Sequence, residues 1–200
     1  MRPDPLHDAA HFLTQPGWFT AAFWLLLLAS VIIGALAWRG DPARRTPREL
    51  AVWGLRVLIG AMWWQQTLWK IPPSFDGLKY WMQQEADHAA VALQGALVRD
   101  VVLPNIAVFG PLVYLVELAI AVSLLLGLFS RAGALLGLLM GVNLWLGLYS
   151  ADNEWPWTYM FLVVIQAWFV IDPPGRALGA DALLRRRGTP RPAGALSWAN

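Results

Sequence analysis

The stretch from Trp18 to Trp38 reads WFTAAFWLLLLASVIIGALAW and holds no charged side chain. A hydrocarbon core of about 30 Å is crossed by roughly 20 mostly apolar helical residues, and this run meets that length unaided. Asp4 and Asp8 precede it, while Arg39, Arg44, Arg45 and Arg48 follow. A secretory signal has the opposite charge order. Despite a cleavage-like Ala35-Leu36-Ala37, the segment therefore reads as a retained transmembrane helix.

Four further apolar segments follow: Leu50 to Ile71, about Val108 to Phe129, Ala132 to Tyr149, and Trp157 to Ile171. Asp172-Pro173-Pro174-Gly175 ends the last one, because proline cannot continue a helix. The expected fold class is all-α, an integral membrane bundle of five transmembrane helices. Composition agrees. Of 200 residues, 58% are hydrophobic and only 14% charged, with a mean hydropathy of +0.48. Soluble domains carry about 25% charged residues, so this chain has too few to coat a water-facing surface.

Lys/Arg bias in short loops sets orientation. Arg39, Arg44, Arg45 and Arg48 lie between the first two segments and Arg131 between the third and fourth. Arg176, Arg185, Arg186, Arg187 and Arg191 lie in the tail. The other side has chiefly Arg2, Lys79 and Arg99. This places the N terminus outside and the C terminus in the cytoplasm. The expected divisions are an outer segment 1–17, an N-terminal helix with its basic loop 18–49, a four-helix unit 50–171, and a basic tail 172–200.

Several chemistries are excluded within the chain. There is no cysteine, hence no disulfide, iron–sulfur ligation, thiolate zinc site or thiol redox step. His7, His11 and His88 all lie outside the apolar runs, so no haem is expected to be held by histidine in the membrane, and no metal site is expected. A net charge of +2 gives no reason to expect a nucleic-acid partner.

The connection 72–105 is the longest between segments. Phe75, Leu78, Trp81 and Met82 recur in it at helical spacing, with Lys79, Gln83 and Gln84 between them. That pattern suits an amphipathic helix on the outer membrane surface, acting either as a lid over the bundle or as a docking site. Trp18, Trp38, Trp53, Trp69, Trp155 and Trp157 lie at segment ends, where indoles meet headgroups. Trp24, Trp63, Trp64, Trp145 and Trp168 lie deeper, in the core or against a ligand. Gly133, Gly137 and Gly141 recur every fourth residue, a helix-packing signal.

An ionisable group within the bilayer costs about 2.5–3.5 kcal/mol on insertion scales and is a functional candidate by default. Glu117, within Leu112-Val113-Tyr114-Leu115-Val116-Glu117-Leu118-Ala119-Ile120, is the clearest case, and Arg56 is the second. Counted from the outer face, Glu117 and Gln166 lie roughly 13 Å deep, and Gln65, Gln66 and Asn143 roughly 10 Å. One convergent polar layer is expected, either as interhelical glue or as a binding site. A protonatable Glu, amides and stacking indoles would suit a quinone headgroup, and equally a lipid or a partner's helix. The catalytic candidates are Glu117 and Arg56. The ligand-binding candidates are Gln65, Gln66, Lys70, Asn143, Trp145, Trp157 and Gln166.

From Leu50 to Ile171 the chain resembles the DoxX/DoxD-like membrane proteins. The resemblance rests on Leu55-Arg56-Val57 with Gly60, on Trp69-Lys70-Ile71-Pro72, and on Glu117 followed by Leu126-Gly127-Leu128-Phe129-Ser130-Arg131. Glu154-Trp155-Pro156-Trp157-Thr158-Tyr159 completes it. The stretch Lys70 to Trp81 is similar to the DoxD type, the small subunit of thiosulfate:quinone oxidoreductase. The resemblance implies a four-helix core in the bacterial cytoplasmic (inner) membrane, a quinone as cofactor, and Arg56, Lys70, Glu117 and Arg131 as recurrent polar residues; the helix Trp18 to Trp38 is additional. Two functions follow as expectations. One is a membrane subunit of a quinone-linked electron-transfer complex, an oxidoreductase that needs partner subunits. The alternative is a non-catalytic accessory or scaffold subunit docking onto a respiratory or photosynthetic complex. Lipid and other membrane subunits are the expected partners. The absence of an evident inverted repeat argues against a transporter.

Overall fold

The computed structural model describes residues 4–70, 74–152 and 154–186. Ile71, Pro72, Arg2, Arg187 and Arg191, used in the sequence reading, lie outside them, as do Pro73 and Asn153. The described residues form helices and turns without a strand.

Local signals set the helix starts. Helix α1 (Pro5–Thr14) begins behind Asp4, whose carboxylate accepts from the backbone N–H groups of Leu6 and His7 at 3.0 and 3.2 Å. Pro16-Gly17 then breaks the chain before α2 (Trp18–Gly40). Helix α3 (Pro47–Thr67) starts with Thr46-Pro47-Arg48-Glu49, a capping-box sequence in which Thr46 Oγ1 accepts from Glu49 N at 3.2 Å. Its last turn tightens into a 3-10 turn, Leu68–Lys70. Helix α4 (Asp76–His88) follows, then α5 (Ala92–Leu97). A π turn (Val98–Val102) and a 3-10 turn around Pro104 carry the chain without interruption into α6 (Ile106–Leu126). Helices α7 (Ser130–Gly147), α8 (Pro156–Ile171) and α9 (Ala180–Arg186) complete the order.

Two helical stretches are long and apolar enough to cross a membrane: Trp18–Gly40 and Ala92–Leu126. Helix α8 is apolar but has 16 residues, a rise of about 24 Å. Helix α3 carries Arg48, Glu49 and Arg56, and α7 is diluted by Arg131, glycines and Asn143. Five spans are thus not evident from helix length and apolarity. The third expected segment is also longer than its apolar pattern, since its helical path begins at Ala92 rather than near Val108.

The main contacts are α7 with α8, α3 with α6, and α6 with α7; α2 packs against α6, α3 and α9. Phe19 and Phe23 of α2, Trp64 of α3 and Ile120, Leu124 and Leu125 of α6 lie in one core. Phe12 stacks edge-on to Phe23 at 5.2 Å, and Phe19 to Trp64 at 5.7 Å. The rings of α1 and α2 thereby fasten to one side of α3. Gly60 brings α3 against α6: a Cβ there would stand 2.9 Å from Leu125 N. The outward faces remain apolar, with Leu25 and Leu28 on α2, Leu58 on α3, Leu115 on α6, Leu139 on α7 and Val164 on α8 all exposed. Only 22% of the most apolar window of α2 is buried, whereas a core helix of a water-soluble protein would bury most of its apolar surface.

The tail folds back. Leu178 and Ala182 pack with Ala37, Trp38 and Trp53. Arg44 donates to the Arg176 carbonyl, and Arg48 pairs with Asp172 at 2.9 Å. The connection after α3 is likewise packed: Leu78, Met82 and Ala86 of α4 form a second core with Phe75 and Val98. Its buried face packs on the chain itself, as that of a lid does.

Candidate ligand-binding site

The lid closes over the end of the bundle where α3 runs out. Lys70, in the 3-10 turn, reaches α6 and donates a charge-assisted hydrogen bond to Glu117 Oε1. The two side chains are 6% and 2% exposed. Lys70 Nζ also lies 4.4 Å from the centre of the Trp69 ring. A buried charge without a partner is strongly unfavourable, so each residue makes the other tolerable.

The lid brings a second carboxyl to the same place. Leu78, Met82 and Glu85 are spaced four and three apart and share the buried face of α4. Glu85 Oε2 accepts from Asn143 Nδ2 at 3.1 Å. Gln94 Nε2 fixes that amide by donating to Asn143 O and Oδ1, both at 3.0 Å. Helix α7 passes so close that a Cβ on Gly147 would stand 2.9 Å from Glu85 Cγ. Burial pushes the Glu85 carboxyl up to about 7, against the opposing pull of the Asn143 hydrogen bond and Lys70. Glu154 Oε2 accepts from Tyr159 OH at 2.9 Å, supplying a third carboxylate near the mouth.

These groups face a cavity of about 640 Å³, within the roughly 300–1,000 Å³ range of small-molecule pockets. Its polar wall includes Gln66, Lys70, Glu85, Glu117, Asn143 and Thr158. The rest is apolar and adaptable, with Met62, Met82 and Met140 beside Trp63, Trp81 and Phe109. Among the described residues, Glu117 Oε2 and Trp63 Nε1 are buried without a hydrogen-bond partner. One is an acceptor in its ionised form and the other a donor, and both belong to residues of the cavity wall. Helix α2 contributes no residue to that wall.

The expected polar layer is only partly assembled. Glu117, Gln66, Lys70 and Asn143 share the cavity. Gln65 is exposed. Gln166 is fully buried against Gly137 and away from the cavity wall, where a Cβ on Gly137 would stand 2.4 Å from Gln166 Nε2. Trp145 is half-buried and Trp157 is 57% exposed; neither lines the cavity. Equal depth does not imply a shared face, and these helices turn those side chains elsewhere.

Arg56 lies outside the cavity wall. It is fourteen residues before Lys70, about 20 Å along a helix. Fully buried, it donates to the Leu124 carbonyl and, at 3.0 Å, to the Leu125 carbonyl, both in the last turn of α6. Asp181 completes this second polar centre by accepting from Phe129 N, Ser130 N and Ser130 Oγ at 2.7, 3.0 and 2.7 Å. A cation at the end of α6 and a carboxylate at the start of α7 both complement the helix dipoles. Gly127, at φ +63°, makes the turn between them, and a Cβ there would stand 2.6 Å from Arg56 Nη1. This centre holds a turn.

Glu85, Glu154 and Tyr159 were not among the candidates that sequence alone suggested. Glu85 carried a legible signal, a carboxylate in register with Leu78 and Met82. Its meeting with Lys70 and Glu117 depends on how the lid folds, which no local pattern specifies. Compared with known protein families, with curated proteins and with solved structures, the chain finds no match in any of the three.

Proposed function

We propose that the chain is a multi-pass subunit of a bacterial inner-membrane electron-transfer complex, crossing with α2, α3, the α5–α6 stretch, α7 and α8, and that its outer cavity binds a quinone. The observation that carries this reading is the buried Lys70–Glu117 pair, with Glu117 Oε2 and Trp63 Nε1 buried and unpartnered among the described residues, in side chains that line a largely apolar cavity. The membrane part of the reading is supported by apolar outward faces on all five crossing elements. The arginines of the α2–α3 loop and the tail support a cytoplasmic position for that end. The order of motifs that resembles the DoxX/DoxD-like proteins supports the quinone.

The residues fit such a ligand. Lys70 and Trp63 Nε1 supply donors for a carbonyl oxygen, and Glu117 Oε2 can take or return a proton there. Trp81 and Met82 offer surfaces for a ring. A quinone carries two electrons and two protons when reduced. The chain's own residues would orient the ring, keep water from it and handle protons at Glu117, while a partner subunit supplies the electrons.

A photoreactive quinone analogue tests the location. Irradiated with the full chain in native membranes, it should label Trp63, Trp81 or Met82, and excess unlabelled quinone should suppress the label. Labelling confined to lipid-facing positions such as Leu139 or Val164, without competition, would remove the cavity from the account. Loss of the chain from its complex without any labelled cavity residue would favour the accessory-subunit reading.

A further inference from the structure

Two features of Glu85 set it apart from the pair it faces. Its recorded side-chain partner is a neutral amide, Asn143, whereas Glu117 takes a cation. It also lies on the lid helix, on a cavity wall that it shares with Lys70 and Glu117. Lys70 is the one Lys or Arg among the described residues of the wall, against three carboxyls: Glu85, Glu117 and Glu154. With all of them ionised, the wall would carry excess negative charge and repel a ligand oxygen. A neutral Glu85 removes part of that excess and adds an O–H donor.

We propose that Glu85, in its protonated form, donates a hydrogen bond to the second carbonyl of the ligand, the first being held by Lys70 of the same cavity. This rests on the quinone reading of the cavity. A dicarbonyl ring would then be held from both ends: by the ammonium of Lys70, steadied by Glu117, and by the carboxyl of Glu85, steadied by Asn143 and Gln94. No covalent bond changes; the proton stays on Glu85 and is shared with the ligand oxygen. A carboxylic acid kept neutral by its surroundings can serve as such a donor. The elevation of the Glu85 carboxyl to about 7 is consistent with this role.

Binding is then tied to one proton. Affinity should be level below about pH 6 and fall by up to about tenfold per unit above about pH 7, as Glu85 ionises. Other charged or titratable groups surround it: Lys70 beyond α3, Glu117 on α6, Tyr159 on α8 with its partner Glu154, and Asp87 and Arg99 paired at the surface at 3.3 Å. His88 on α4 and Asp100 on the π turn complete the set.

The test uses the full chain in lipid nanodiscs and a short-chain alkyl benzoquinone, which has no ionisable group of its own in this range. Quenching of tryptophan fluorescence gives its affinity from about pH 5 to 9. Wild type should show the fall described. Glu85→Gln, which keeps an N–H donor at every pH, should retain the low-pH affinity throughout. Glu85→Ala should bind about tenfold more weakly at low pH and show no fall, the loss expected for one hydrogen bond of about 1.4 kcal/mol. A flat wild-type profile, or a Glu85→Gln profile that still falls as wild type does, would overturn the role of Glu85 and leave the cavity reading standing. So would loss of binding by a Glu85→Gln protein that melts like wild type. Wild type that binds at no pH would overturn both.

Discussion

At the scale of single residues, the chain tolerates buried charge by pairing it and buried carboxyl by neutralising it. Lys70 and Glu117 do the first, and burial moves the Glu85 carboxyl towards the second. The linkage of Glu85 to stability has a definite sign. Its carboxyl is raised from 4.5 to about 7 in the folded protein, so between those values the folded state holds a proton that the unfolded state has lost. Stability therefore falls as pH rises through that window, by on the order of 3 kcal/mol when the fall is complete. Glu85→Gln should erase the fall. Its melting temperature should exceed that of wild type by more at about pH 8 than at about pH 5. Equal differences at both would show that Glu85 ionises normally. Glu117 was legible because a lone carboxylate in an apolar run has few bland explanations. Lys70 was legible as a candidate, but its pairing with Glu117 was not, because at a helix end a snorkelling lysine would look the same.

Among elements, apolar runs located α2, α3, α6, α7 and α8 well, and Thr46 caps α3 as Asp4 caps α1. The lid was legible as an amphipathic stretch but not as a wall of a cavity, since its buried face meets residues far away in sequence. The unbroken path from Ala92 into α6 was hidden by Pro104. A π turn and a 3-10 turn absorb that proline without ending the helix. Which elements cross is open to direct measurement, because the chain has no native cysteine. Single cysteines at Asp152→Cys, after α7, and Arg45→Cys, before α3, should react with an impermeant thiol reagent from opposite sides of intact cells. Asp152→Cys should be labelled outside and Arg45→Cys only after the membrane is opened. Labelling of both from outside would contradict the five-crossing arrangement.

For the molecule as a whole, two polar centres lie at opposite ends of an apolar bundle and do different work. At the arginine-rich end, Arg56 and Asp181 satisfy the exposed ends of α6 and α7 around Gly127, and the tail docks there. At the lid end, polar groups line a cavity large enough for a ring, and two of their atoms lack partners among the described residues. A stretch of mostly apolar helix separates them, with Gly60 drawing α3 and α6 together. Sequence placed Arg56 and Glu117 in one candidate set because both are charges in apolar segments; the packing gives each its own partners and its own polar centre. The account therefore turns on whether the Glu117 end binds a quinone. The most direct measurement is the affinity of a short-chain benzoquinone for nanodisc-held wild type, Glu117→Gln and Trp63→Phe. Each variant's folding is checked by its melting curve, and exposed Gln65→Leu serves as the control. Glu117→Gln should weaken binding by about ten- to a hundredfold, the range for hydrogen bonds involving a charged group. Trp63→Phe should weaken it by about tenfold, while Gln65→Leu should leave it unchanged. Folded Glu117→Gln and Trp63→Phe proteins that bind quinone as wild type does would contradict the account.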